Sequence, residues 1–232
     1  MQSPITEQTP RAPISLLRDI RTHPLEVIRQ FALQPLSTGA VAPSSRTLAT
    51  RLTGMVDLYN AQTVVELGPG TGVFTEEIQK NISRQTDFFA LEVNPAFVAA
   101  TKQRCPGVKV YQDEARNLPV YLRDTRQVNE TDTLPEQNPD ETSPTSNGRA
   151  DCIISSLPWT IFNEAEQDTL LDTISASLRK GGTFISIVYL GGRLRARGRY
   201  FVDSLPLYFS EIEKTGTVWQ NIPPTLIYRC KK

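Results

Sequence analysis

The residues best suited to chemistry lie in one short run, Glu66-Leu67-Gly68-Pro69-Gly70-Thr71-Gly72. An apolar, β-branched stretch, 63–67, precedes it, and a stretch of helical character, 73–80, follows. Glycines at such a turn let the backbone approach a ligand closely, because no Cβ intervenes. The helix beyond offers free N–H groups and a positive dipole end. In dinucleotide-binding folds that arrangement meets a pyrophosphate. Here the spacing is E-x-G-x-G-x-G, not the G-x-G-x-x-G of nicotinamide enzymes. An acid leading the turn fits a ligand with a cationic amino-acid end, such as S-adenosylmethionine. Glu92 stands at the end of the second apolar run, about 20 residues past the glycines, where an acid can accept both ribose hydroxyls. Asp113-Glu114-Ala115 follows the third run, and an acid there can accept the exocyclic N–H of an adenine. Glycine turn, second-strand acid and third-strand acid occur in the order an adenosyl ligand requires.

A second group of residues could hold an acceptor. Ser155-Ser156-Leu157-Pro158-Trp159 follows the fourth apolar run. The aromatic face of Trp159 could hold a cationic amine by cation–π attraction, or the ring could simply pack. After the fifth run come Tyr189 and then Arg193, Arg195, Arg197 and Arg199, expected to lie on a loop at the carboxyl edge of the sheet, where ligands bind. Arginines there can pair a phosphate bidentately or draw the segment to anionic lipid. Tyr189 could bind the phosphate or orient the amine. His23, the one histidine, lies far from these residues in sequence and is not read as a base.

These residues need a scaffold, and the hydrophobic pattern supplies one. Strands are expected at 63–67, 87–93, 108–111, 151–155 and 183–189. Helices are expected at 46–59, 73–80, 95–104 and 164–178, the last stopped by Lys180-Gly181-Gly182. Strands alternating with helices imply an α/β fold with a parallel, doubly wound sheet. Before it, apolar residues at helical spacing from Ile14 to Leu33 interleave with Arg18, Arg21 and Arg29, and Pro24 splits the segment into two helices. Periodicity alone leaves a packed capping helix and a helix lying on a lipid surface both open. The chain thus divides into an N-terminal segment, 1–45, and one domain, 46–232. A polar, acidic, proline-bearing stretch, 124–149, is expected to be a disordered insertion between strands three and four.

Composition narrows the classes. Of 232 residues, 39% are hydrophobic and 22% charged, which suits a globular domain with a proper core. Formal net charge is zero, so no overall basic field favours nucleic acid. Cys105, Cys152 and Cys230 are far apart without CxxC spacing, so neither a metal site nor a disulfide framework is expected. No signal peptide is visible, and no run reaches the roughly 18 to 20 apolar residues a membrane span needs.

From Gln62 to Tyr189 the chain resembles the class I S-adenosylmethionine-dependent methyltransferases, whose fold is a Rossmann-like sheet. The resemblance implies that Glu66, Gly68, Gly70 and Gly72 line the methionine side of the cofactor. It places Glu92 on the ribose and Glu114 or Asp113 on the adenine, where the family usually shows Gly-Asp-Ala. The Ser155–Trp159 loop is similar to the Asn-Leu-Pro-Tyr loop of ribosomal RNA adenine dimethyltransferases, with Ser156 replacing the asparagine. A wider resemblance rests on Phe31 with Thr38-Gly39-Ala40-Val41-Ala42-Pro43-Ser44-Ser45, on 64–75, on Ser156–Trp159, and on the ending Val218-Trp219-Gln220-Asn221-Ile222-Pro223-Pro224 with Tyr228-Arg229. These segments look like bacterial soluble phospholipid N-methyltransferases. That resemblance implies transfer of methyl from S-adenosylmethionine to phosphatidylethanolamine, toward phosphatidylcholine, with S-adenosylhomocysteine released. It further implies peripheral membrane binding through the N-terminal helix. A cytoplasmic monomer on the inner membrane face is expected, with Ser156, Trp159 and Tyr189 at the acceptor and no nucleic-acid partner. An ornithine-lipid methyltransferase, an RNA adenine methyltransferase and a non-catalytic membrane-binding protein are the alternatives.

Overall fold

The run Thr63–Leu67 is β-branched and apolar except for Glu66, and every residue in it is buried. A strand buried on both faces belongs at the centre of a parallel sheet, and this one, β1, lies there. The computed structural model describes residues 46–122 and 148–232. The expected helices between Ile14 and Leu33, His23, and most of the acidic insertion lie outside the described residues.

In chain order the elements are α1 (Arg46–Thr53), β1, α2 (Val73–Asn81), β2 (Asp87–Glu92), α3 (Pro95–Arg104), β3 (Lys109–Gln112), a 3-10 turn (Ala115–Asn117) continuing as helix through 118–122, β4 (Ala150–Ser155), α4 (Glu164–Ser177), β5 (Leu178–Tyr189), α5 (Leu190–Arg193), α6 (Ala196–Tyr208), β6 (Glu211–Lys214) and β7 (Thr225–Lys231). The strands form one sheet in the order β3-β2-β1-β4-β5-β7-β6. The first five run parallel, while β7 pairs antiparallel with both β5 and β6. The winding reverses between β1 and β4, and a crevice at the carboxyl ends of the strands opens at such a switch point.

Alternation along each strand sends side chains to two cores. Val64, Phe88, Ile154 and Ile185 face α1 and α2, against Leu48, Leu52, Phe74 and Ile78. Val65, Phe89, Ile153 and Phe184 face the other side, against Leu171 and Ile174 of α4 and Phe201 and Leu205 of α6. The three cysteines are buried and free.

Four expectations are corrected. The first helix ends at Thr53 and not at Tyr59, because Gly54 closes the last turn on Thr50, although Met55 and Val56 still pack on the core. The fifth strand begins at Leu178, with an irregularity opposite Ala150 to Cys152 that absorbs the Gly181-Gly182 pair. The arginine segment is not a loop but helix, split between α5 and α6. A Cβ on Gly198 would stand 2.2 Å from the Gly192 carbonyl oxygen, so the close helix junction requires glycine there. Finally, β6 and β7 extend the sheet beyond the five parallel strands.

Candidate active site

The turn after β1 has three glycines in the left-handed region: Gly68 at φ 75°, Gly70 at 58° and Gly72 at 79°. Their surroundings differ. A Cβ on Gly68 would press on Leu157 Cδ2 at 3.3 Å, and one on Gly72 would meet Thr101 Cα at 3.3 Å. A Cβ on Gly70 would meet nothing within 4 Å. Gly68 and Gly72 are therefore needed for packing, whereas Gly70 borders open space at the sheet edge.

Glu92 closes this turn from β2. Its Oε2 accepts the Gly70 N–H at 3.1 Å and its Oε1 accepts the Asn94 N–H at 2.9 Å. Burial pushes its carboxyl upward, against those backbone hydrogen bonds. Each carboxylate oxygen keeps a further lone pair. Thr101, on α3, donates to the Gly70 carbonyl at 2.8 Å and holds the turn from beneath. Asn94 caps α3 through Ala96 N, with Pro95 in the first turn.

Glu66 is placed differently from expectation. Its side chain shares the α1/α2 side of the sheet with Val64 and is fully buried. Oε2 accepts the Thr75 hydroxyl at 2.7 Å, and Oε1 has no hydrogen-bond partner among the described residues. Burial, opposed by Thr75 and reinforced by Glu92, raises its pKa to about 8. Glu66 thus underpins the turn from within, on the α1/α2 side of the sheet.

At the third site the two acids separate. Asp113 organises the local chain: Oδ1 accepts Glu114 N–H and Asn117 Nδ2, each at 2.7 Å, and Oδ2 accepts Tyr121 Oη at 2.8 Å. Burial pushes Asp113 up, but these three bonds outweigh it and hold its pKa below the ordinary value. Glu114 reaches outward to Arg116. Tyr121 also packs on Tyr111 with ring centroids 4.5 Å apart. Its role had no sequence signal, since it lies eight residues from Asp113.

The loop after β4 meets the glycine turn directly, because Ser156 N–H donates to the Leu67 carbonyl at 2.9 Å. Among the described residues the buried Ser156 hydroxyl has no hydrogen-bond partner. Trp159 is corrected. It is 2% exposed, stacks on Phe201 at 4.1 Å and 18°, and donates Nε1–H to Ser186 Oγ at 2.8 Å. The indole is core and presents no face for a cation. Gln167, buried on α4, ties the region together by donating Nε2 to the carbonyls of Trp159 (2.7 Å), Phe162 (3.2 Å) and Arg197 (3.1 Å).

Tyr189 ends β5, opposite Thr225 of β7, and burial raises its phenol. Beyond it Arg193, Arg195, Arg197 and Arg199 are all exposed. Arg197 donates to the Ile161 carbonyl at 2.7 Å and Arg199 to the Leu194 carbonyl at 3.3 Å. The structure thus gathers Gly70, Glu92 and Ser156 along one sheet edge with Tyr189 and the arginines beside them, and it sets Glu66 and Trp159 into the interior.

Comparison with solved structures shows which proteins share the fold. An N-methyltransferase, NodS, from Bradyrhizobium japonicum WM9, solved with S-adenosyl-L-homocysteine, superposes with a TM-score of 0.58 at 14% identity, over 88% of this chain and 97% of that one. The fold is that of the class I S-adenosylmethionine-dependent methyltransferases. An O-methyltransferase from Bacillus cereus, also solved with S-adenosylhomocysteine, shares the methyltransferase fold at a TM-score of 0.55 and 15% identity, over 94% and 96% of the two chains. In sequence, the chain is 27% identical over 202 residues to an ornithine lipid N-methyltransferase from Singulisphaera acidiphila, covering 87% of this chain and 92% of that protein. No protein-family model matches the chain. Among the described residues, no helix is long and apolar enough to cross a membrane.

Proposed function

We propose that this chain transfers a methyl group from S-adenosylmethionine to the amine of a lipid headgroup, with phosphatidylethanolamine as the substrate. The observation that carries the reading is the junction of two features at one sheet edge: the Gly70–Glu92 crevice and the arginine-bearing start of α5 and α6. The residues fit the cofactor. Gly70 leaves room for close backbone approach and Glu92 has lone pairs for two ribose hydroxyls; Glu114, paired with Arg116 just past β3, is read as the acceptor for the adenine amine. When bound, S-adenosylmethionine supplies an electrophilic methyl on a sulfonium sulfur, and S-adenosylhomocysteine remains after transfer.

The chain's own part is positioning and exclusion of water. The Ser156 hydroxyl, without a partner among the described residues, accepts from the headgroup amine and holds its lone pair in line. Tyr189, kept neutral by its raised pKa, orients the amine through its oxygen and does not act as the base. Arg193 and Arg195 pair the headgroup phosphate. Arg197 and Arg199 keep their remaining donors for it while bracing the Ile161 and Leu194 carbonyls. The headgroup ammonium gives one proton to water, and the neutral amine takes up the methyl group and ends as a secondary ammonium that keeps its two remaining protons.

A second reading, methylation of an ornithine lipid, is favoured by the relative from Singulisphaera acidiphila. Purified chain with methyl-labelled S-adenosylmethionine and vesicles of either lipid separates the two. Label in phosphatidylethanolamine is expected. Label confined to ornithine lipid transfers the assignment to the second reading. Label in neither lipid, with cofactor binding intact in calorimetry, rejects lipid methylation.

A further inference from the structure

Because β7 runs antiparallel to β5, its first residues lie at the carboxyl edge of the sheet, beside Tyr189. A tight loop, 218–224, is pinned there. Val218 and Thr225 exchange backbone hydrogen bonds at 2.7 and 3.3 Å. Asn221, 1% exposed, turns inward and donates to the Pro223 carbonyl and Thr225 Oγ1, each at 2.9 Å. With Asn221 anchored inside, its neighbours point out: Trp219 is 67% exposed and Ile222 68%. The loop is bonded to the arginine segment, since Leu190 N–H donates to the Pro224 carbonyl at 2.8 Å. One turn further on, Leu194 is 74% exposed.

Charge is segregated in the same place. Neither 189–202 nor 214–224 contains an aspartate or glutamate, yet together they hold Arg193, Arg195, Arg197, Arg199 and Lys214. The chain as a whole has zero formal net charge. Large apolar side chains extruded by an anchored loop, beside exposed arginines, suit a surface that is apolar just beneath an anionic layer. A tryptophan favours such an interface, and arginines are drawn to anionic headgroups.

We propose that Trp219, Ile222 and Leu194, flanked by Arg193 and Arg195, form a docking surface for an anionic lipid bilayer. This rests on the reading of a membrane-lipid substrate, for it brings the mouth of the crevice to the headgroups without lifting a lipid from the membrane. The surface is built from residues of the 46–232 domain.

The chain's two tryptophans make a direct test possible, since Trp159 is buried and Trp219 is exposed. Full-length protein is mixed with vesicles of phosphatidylethanolamine and phosphatidylglycerol. Emission should shift to shorter wavelength and be quenched by brominated acyl chains, and Trp219→Phe should abolish both changes. Trp219→Ser with Ile222→Ser should weaken vesicle binding by roughly a hundredfold, since two large apolar side chains lose their burial. The same variant should keep methyl transfer to short-chain phosphatidylethanolamine in micelles. Arg193→Gln with Arg195→Gln should weaken vesicle binding about twentyfold, each cation near the surface being worth about fivefold. The proposal is overturned if Trp219 stays open to aqueous iodide while the protein sediments with vesicles, if the protein does not bind them, or if it prefers RNA. Insertion of Trp219 without methyl transfer fails the substrate reading alone. Methyl transfer to vesicle lipid with Trp219 still in water fails the docking surface alone.

Discussion

Replacing Glu66 by glutamine tests the interior of the cofactor turn. Burial, above all, pushes the Glu66 carboxyl of the folded chain up to about 8 from an ordinary value of 4.5. Between those values the native carboxyl holds a proton that the unfolded chain has released. Stability from this group is therefore fully present below the unfolded pKa and is lost as pH rises through the folded one. Linkage puts the loss at about 3 kcal/mol between about pH 5 and pH 8. Glutamine keeps an oxygen for the Thr75 hydroxyl and cannot titrate, so this component should vanish. Urea unfolding of both proteins at about pH 5 and pH 8 gives the difference directly, with Glu92 and all other groups common to both. If the two stability curves run parallel within about 1 kcal/mol, Glu66 is ionised in the folded protein and the turn is built otherwise.

Other substitutions probe the crevice and its support. Glu92→Gln keeps one acceptor oxygen and turns the other into an NH2 donor, so either the Gly70 or the Asn94 N–H loses its acceptor; S-adenosylmethionine affinity should fall by roughly tenfold to a hundredfold in calorimetry, as loss of a charged acceptor does. Gly72→Ala should cost about 2 kcal/mol in stability, through left-handed strain plus crowding on Thr101. Gly70→Ala, strained but uncrowded, should cost about 1 kcal/mol and act chiefly on cofactor affinity. Equal effects of the two alanines would contradict this division. Trp159→Ala should destabilise by roughly 3 to 5 kcal/mol in denaturant unfolding, as loss of a core aromatic does, and a cost under about 1 kcal/mol would mean the ring is not core. Gln167→Leu strips the donor from three carbonyls and should cost about 3 kcal/mol; amide exchange over 157–163 should rise, and an unchanged exchange pattern would count against the tether.

What the chain alone determined follows from short-range physics. Period-two and helical hydrophobic patterns mark the βα units because one strand or helix face is legible in a single segment. The glycine turn and Glu92 are legible because both need particular residue types at a strand end. Asn94 with Pro95 is a local capping signal of the same kind. Tertiary structure alone decided which side of the sheet each candidate occupies. Glu66 and Trp159 look functional by type and position, yet strand alternation turns Glu66 under the turn toward Thr75, and Phe201, some 40 residues on in sequence, covers the face of Trp159. The arginine segment reads as a loop until Gly198 meets Gly192 and folds it into helices. Gln167, Thr101 and Tyr121 act through partners on other elements, and no spacing within one segment encodes them. The antiparallel β7 is the clearest case: its pairing with β5 is a long-range register, and only that register carries the 218–224 loop to the edge where Glu92 and the arginines already stand.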